Sequence, residues 1–126
     1  LSGTSANTFA GKTTVSEGTL QLNKTAGVNA IAGDLEVASG ATLLISASNQ
    51  VVDTSAVTLS GGTIVRGSGV SETFGDLTLS SAGTLDYGTG TAGVLEFGAW
   101  TPGSTVLTLN NFGLGNMLKF SSDLSA

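Results

Sequence analysis

The feature that most constrains this chain is a short signature that returns at a nearly constant interval. Gly18-Thr19-Leu20, Ala41-Thr42-Leu43, Gly62-Thr63-Ile64 and Gly83-Thr84-Leu85 place their aliphatic residues 23, 21 and 21 residues apart, and Val106-Leu107 extends the series by 22. A fixed period near 21 is the mark of a solenoid, in which each repeat buries its apolar side only by stacking on its neighbours. A second series runs just ahead of the first: Thr13-Thr14-Val15, Leu35-Glu36-Val37, Val57-Thr58-Leu59 and Leu77-Thr78-Leu79, with Leu95-Glu96-Phe97 as its expected continuation. A third, weaker series is Phe9, Ile31, Val52 and Phe74.

Within each repeat apolar and polar residues alternate, which is the two-residue period of a strand and not the 3.6-residue period of a helix. Each repeat therefore predicts two or three strands of about 4–6 residues with tight corners, closing as one rung of a parallel β-helix. Leu20 and Leu22, or Leu77 and Leu79, are expected inside, with Gln21 and Thr78 outside; Phe9 and Val15 join the expected core. Gly40, Gly61-Gly62 and Gly83 are expected at corners that need a positive φ. Asn7 and Asn29 are placed to stack as an asparagine ladder, and Asp34 and Asp76 to bond corner amides. The pattern loosens after Tyr87. There Gly88-Thr89-Gly90-Thr91-Ala92-Gly93 and Trp100-Thr101-Pro102-Gly103 read as turns, and Phe112 as a corner with its ring turned inward. The reading is an all-β fold, a single right-handed parallel β-helix domain over residues 1–126, of about six rungs of ~21 residues each. Rungs are regular over 1–87 and looser over 88–126.

Composition narrows the function classes. The net charge is −5, and the four basic residues, Lys12, Lys24, Arg66 and Lys119, are scattered. No clustered basic face exists for nucleic acid, and an anionic membrane surface is disfavoured. The chain has neither Cys nor His, which removes disulfides, Cys or His metal sites and the usual nucleophilic triads. No apolar run reaches the ~18 residues of a membrane helix. The chain opens at Leu1 without the charged and apolar regions of a secretory leader, as a mature product or a piece of a longer chain would.

Candidate chemistry is sparse. The acidic residues are Glu17, Asp34, Glu36, Asp53, Glu72, Asp76, Asp86, Glu96 and Asp123. Asp34 and Asp76 fall on one face two rungs apart, about 9–10 Å, a separation open to an inverting glycosidase pair; the structural role as corner acceptors is the stronger reading. Gly88, Gly90 and Gly93 match dinucleotide-loop spacing, but a strand follows where a helix N-terminus is required. Trp100, the only Trp, is a candidate sugar-stacking platform or a residue packed over the solenoid edge. Asn23-Lys24-Thr25 is formally a glycosylation sequon. No catalytic, cofactor or metal-binding residues are assigned.

Asn7-Thr8-Phe9-Ala10-Gly11-Lys12-Thr13-Thr14-Val15-Ser16-Glu17-Gly18-Thr19-Leu20-Gln21-Leu22 resembles the autotransporter-associated β-strand repeat, also called the passenger-associated transport repeat, whose pattern is roughly N-x-[YF]-x-G-x-T-x-[VI]-x-x-G-T-L-x-L. The full motif covers about a sixth of the chain, with looser copies over about two thirds of it. The resemblance implies a right-handed β-helix exported to the bacterial cell surface or beyond, where such passengers adhere, aggregate cells or build surface layers. Repeat residues begin by Asn7 with no amphipathic capping helix ahead of them. The expectation is thus a non-catalytic structural subunit that associates end to end, unless the chain is an excerpt of a longer β-helix. The alternatives are an adhesin module binding glycans or neighbouring cells through Trp100, and, last, a polysaccharide-active enzyme.

Overall fold

The computed structural model describes residues 1–121, so Asp123 lies outside the described residues. The chain is all β and winds as a solenoid of five turns preceded by a partial one. It opens with β1 (Ser2–Gly3). The first full turn carries β2 (Thr13–Val15) and β3 (Thr19–Lys24), and the second carries β4 (Leu35–Ala38) and β5 (Thr42–Ile45). The third holds β6 (Val57–Ser60), β7 (Thr63–Arg66) and β8 (Glu72–Thr73), and the fourth β9 (Leu77–Ser81), β10 (Gly83–Asp86) and β11 (Val94–Phe97). The fifth holds β12 (Trp100–Thr101), β13 (Leu107–Asn110) and β14 (Met117–Phe120).

Successive turns build three parallel sheets, ordered β12-β9-β6-β4-β2, β1-β3-β5-β7-β10-β13 and β14-β11-β8. Paired residues lie 20 to 24 positions apart, as Val57 with Leu77 and Thr84 with Thr108. The period read from the sequence is thus the physical turn of the solenoid. The Thr-aliphatic signature is its second sheet: Leu20, Leu43, Ile64 and Leu85 form one inward column, and Thr19, Thr42, Thr63, Thr84 and Thr108 form the adjacent outward one. Leu43, Ile64 and Leu85 are fully buried. Each contributes about 1.5–3 kcal/mol through burial, and each does so only because a rung lies above and below it.

Several expectations change in register or placement. Leu109, not Leu107, continues the Leu85 column, because the longer turn before β13 shifts the pairing and sets Leu107 opposite Gly83. Leu95-Glu96-Phe97 does not continue the second series. The turn over 88–93 occupies the corner between the second and third sheets, so β11 pairs with β8 and β14, and Trp100–Thr101 takes the place beside Leu77–Thr78. Phe9 is not core: it is 44% exposed, since only a partial turn precedes it. Phe112 is also largely exposed, its ring set edge-on against Tyr87 at 4.9 Å.

The corner glycines divide by cause. Gly40 and Gly61 have φ of 77° and 95°, the left-handed geometry expected of them. Gly62 and Gly83 do not. They are required because the backbone passes against the previous strand: a Cβ on Gly62 would run into the Val37 side chain, and one on Gly83 would lie 2.8 Å from Leu59 Cδ1.

Candidate functional site

Two regions carry what the regular rungs do not explain: the last turn, and a set of buried polar side chains at the corner between the second and third sheets.

The last turn ends all three sheets on one side. β12, β13 and β14 are edge strands, and among the described residues nothing pairs with their outer edges. Their inward side chains extend the core columns: Leu109 follows Leu85, Leu118 follows Leu95, and Phe120 follows Phe97. Phe74, Phe97 and Phe120 stack at centroid separations of 4.9 and 6.0 Å. In the middle turns these columns are fully covered. In the last turn Leu109 of these columns is 38% exposed and Leu118 and Phe120 are partly buried, while Phe112 and the outward Met117, both 47% exposed, lie in the same turn as the exposed Val106 and Leu114. On the opposite side β1 covers only Asn23 and Lys24 of β3. The rest of that edge, with β2, frames a groove of about 240 Å³ lined by Thr14, Val15, Ser16, Glu17, Thr19 and Leu20. An unpaired edge with an apolar row beside it is a template for another strand.

Trp100 sits in this last turn, half-buried on β12. Its ring meets Phe120 edge to face at 5.4 Å and packs against the end of the core. The ring is thereby packed over the end of the solenoid core.

The sequence-derived acidic candidates are brought into two equivalent corners and not into a shared cleft. Asp34 Oδ1 accepts the amide of Ala56 at 2.9 Å, and Asp76 Oδ1 accepts that of Ala99 at 2.8 Å. Each aspartate supplies the ladder acceptor for the turn that follows it, as expected for corner residues. Asn7 Nδ2 donates to the Ala30 carbonyl, tying the partial turn to the first full one. Gly88, Gly90 and Gly93 lie in a turn between β10 and β11 with no helix after it. Pro102-Gly103 closes another, with Gly103 at φ 61°. Glu36 holds an ion pair with Lys12 and a bond from Ser60 Oγ, and these hydrogen bonds lower its pKa. Among the described residues no group of three or more acidic side chains is placed to hold a metal ion, and no helix is long and apolar enough to cross a membrane.

The buried polar set was not legible beforehand. Lys24 is buried; its Nζ donates to the carbonyls of Ser2 and Ser5 at 3.1 and 2.8 Å, and its own amide donates to Gln50 Oε1 at 2.7 Å. Gln50, fully buried, donates its amide to Glu72 Oε2 at 2.7 Å, while Val51 donates to Glu72 Oε1 at 3.0 Å. Side-chain oxygens thus stand in for ladder carbonyls where the turns differ in length. Burial raises the Glu72 carboxyl to about 7, against the lowering effect of the Gln50, Val51 and Asn49 amides.

Arg66 is the largest fully buried side chain, 1% exposed. It points inward in the column between Ile45 and Tyr87 and has no carboxylate partner among the described residues. Its Nη1 donates to the carbonyls of Gly67 (2.8 Å) and Val70 (3.3 Å). Its Nη2 donates to the carbonyls of Tyr87 (2.8 Å) and Thr91 (3.2 Å) and to Asn116 Oδ1 (2.9 Å). Nε has no partner. The guanidinium lies 5.6 Å from the Tyr87 ring centre, and burial lowers its pKa. One side chain thereby joins the third, fourth and fifth turns. The only prior signal was that Arg66 takes the inward position of a Thr-aliphatic-x-x strand, which alternation assigns to the core.

No protein-family model, no curated protein and no solved structure matches the chain.

Proposed function

We propose that this chain is a non-catalytic structural protein of the bacterial cell surface, a β-solenoid subunit that extends by stacking turn upon turn with another copy of itself. The observation that carries this reading is the state of the last turn. The core columns reach β13 and β14 in register, where Leu109 is exposed and Leu118 and Phe120 are only partly buried, beside backbone edges that nothing pairs with among the described residues. Parallel in-register stacking is the contact by which every internal turn is already held. A second copy seated on that face continues the same chemistry without a new type of interface. Such a contact joins two different faces of the molecule and does not close, so it generates filaments and not dimers. The groove beside β2 and β3 supports the reading, since it is the opposite face of the same solenoid and is lined by Val15 and Leu20. The export expectation rests on the resemblance of Asn7 to Leu22 to a surface-passenger repeat.

Electron microscopy of the purified protein tests this. Regular filaments are expected at high concentration, and Leu109→Asp, which sets a charge in the exposed column, is expected to abolish them while leaving the circular dichroism of the strands intact. Isolated rods of single-chain length at high concentration would overturn the proposal.

A further inference from the structure

We propose that residues 1–11 are a displaceable strap that blocks end-to-end growth, and that the last turn of an incoming copy evicts them in order to stack. This rests on the end-to-end reading above and names what regulates it. The strap runs beneath the first turn from Asn23 to Gly33. The Leu1 and Gly3 carbonyls accept the amides of Asn23 and Thr25 at 2.7 and 3.0 Å, and the Ser2 and Ser5 carbonyls accept Lys24 Nζ. Asn7 donates its amide to the Asn29 carbonyl at 3.0 Å and its Nδ2 to the Ala30 carbonyl at 2.7 Å. The carbonyls of Ala10 and Gly11 then lie against Gly33, where a Cβ would run into both. Only β2 and the start of β3 are left bare on this side.

The last turn has no such partial cover. It supplies an edge strand to all three sheets. Each turn lies directly on the same stretch of the turn before it, as Leu95 lies on Glu72 and Thr108 on Thr84. Continuing the columns into a second copy sets Thr101 beside that copy's Thr14 and Thr108 beside its Thr19. The same placement carries residues 111–120 beneath the stretch from Asn23 to Gly33, the space the strap already fills. Two chains cannot share it. Seating the strap on β14 instead leaves an empty turn between β12 and β2, and between β13 and the start of β3, with their backbone groups unpaired.

Burial decides which chain gives way. Every strap residue is exposed except the half-buried Asn7, and its apolar Leu1 and Phe9 are each 44% exposed. β14 pairs with β11 over four residues and packs Leu118 and Phe120 against the core, with Phe120 stacked on Phe97. Apolar area removed from water therefore favours β14 over the strap. Eviction takes two carbonyls from the buried Lys24. The incoming corner at 111–116 brings carbonyls to the same place, as the corner after β10 does for Arg66 through Tyr87 and Thr91.

The chain has no cysteine, so a reversible pin tests the strap in the full-length protein. Ser2 and Asn23 are register partners, about 4.8 Å apart across parallel strands, within disulfide reach. The double variant Ser2→Cys, Asn23→Cys is expected to stay as single rods when oxidised and to form filaments when reduced, while wild type is indifferent to reductant. Asn7→Ala, which removes one strap bond, is expected to speed filament growth about fivefold. Hydrogen exchange is expected to show the Asn7 amide protected in single chains and unprotected in filaments. An oxidised pair that grows filaments as fast as the reduced one, or an Asn7 amide that stays protected in filaments, overturns the strap and leaves the end-to-end reading standing. Absence of filaments from wild type, the reduced pair and Asn7→Ala alike overturns both.

Discussion

Replacing Arg66 with Met sets two large effects against each other. The guanidinium makes five hydrogen bonds, of which those to Tyr87, Thr91 and Asn116 join separate turns. Hydrogen bonds to a charged group contribute about 1.5–3 kcal/mol each, so these three alone account for roughly 5–9 kcal/mol. Opposing them is the desolvation of a cation with no buried counter-charge, several kcal/mol that a thioether does not incur. Met fills most of the stem's volume, so the cavity is small, but the three oxygens lose their donor at the centre of the molecule. Three buried oxygens left without a donor cost about 1–3 kcal/mol each, and relief of the desolvation offsets part of that, so the balance favours Arg by about 3–5 kcal/mol. For 126 residues the unfolding entropy converts each kcal/mol into about 4 °C, so Arg66→Met is expected to lower Tm by about 12–20 °C in a calorimetric or circular-dichroism melt. The loss is expected to appear first in the fourth and fifth turns, where amide exchange near Thr91 and Asn116 accelerates, because solenoid turns are held by nearest neighbours. Arg66→Lys keeps the charge without the forked donors and falls between the two. A Tm for Arg66→Met equal to or above that of wild type would refute the reasoning, showing that desolvation outweighs the bonds.

Two further substitutions test close packing between turns. Gly93→Ala is expected to destabilise by about 3 kcal/mol, the upper part of the overpacking range, because its Cβ would run into the Val70 carbonyl oxygen and lie 2.6 Å from Arg66 Nη1; Gly11→Ala, with open space around it, stays within about 0.5 kcal/mol, and denaturant melts compare the two. Trp100→Ala removes the edge-to-face contact with Phe120 and part of the cover over the core's end, and is expected to cost about 1–3 kcal/mol in the same melts; a change under 0.5 kcal/mol would show that the packing role is minor.

The repeat period, the alternation within each repeat and the Thr-aliphatic signature were enough to determine the solenoid, the inward and outward faces of the regular turns, and the corner roles of Asp34 and Asp76. These are local properties: two-residue alternation decides which way a side chain points, and the recurrence of the pattern decides what stacks on it. Tertiary structure alone decided the rest. The shift that sets Leu109 over Leu85, and the transfer of Leu95-Glu96-Phe97 to the third sheet, depend on how many residues each corner absorbs, and turn length is not encoded in alternation. Gly62 and Gly83 read as turn residues, yet their cause is the neighbouring strand one turn away. Phe9 is apolar and in phase with the series, but it lies beyond the last full turn that could cover it. Lys24, Gln50, Arg66 and Glu72 carry polar groups at inward positions. Alternation places Lys24 and Arg66 inside, in phase with Leu22 and Ile64, but only the three-dimensional corner, with its displaced carbonyls and amides, buries Gln50 and Glu72 and supplies the partners that make a buried charge tolerable.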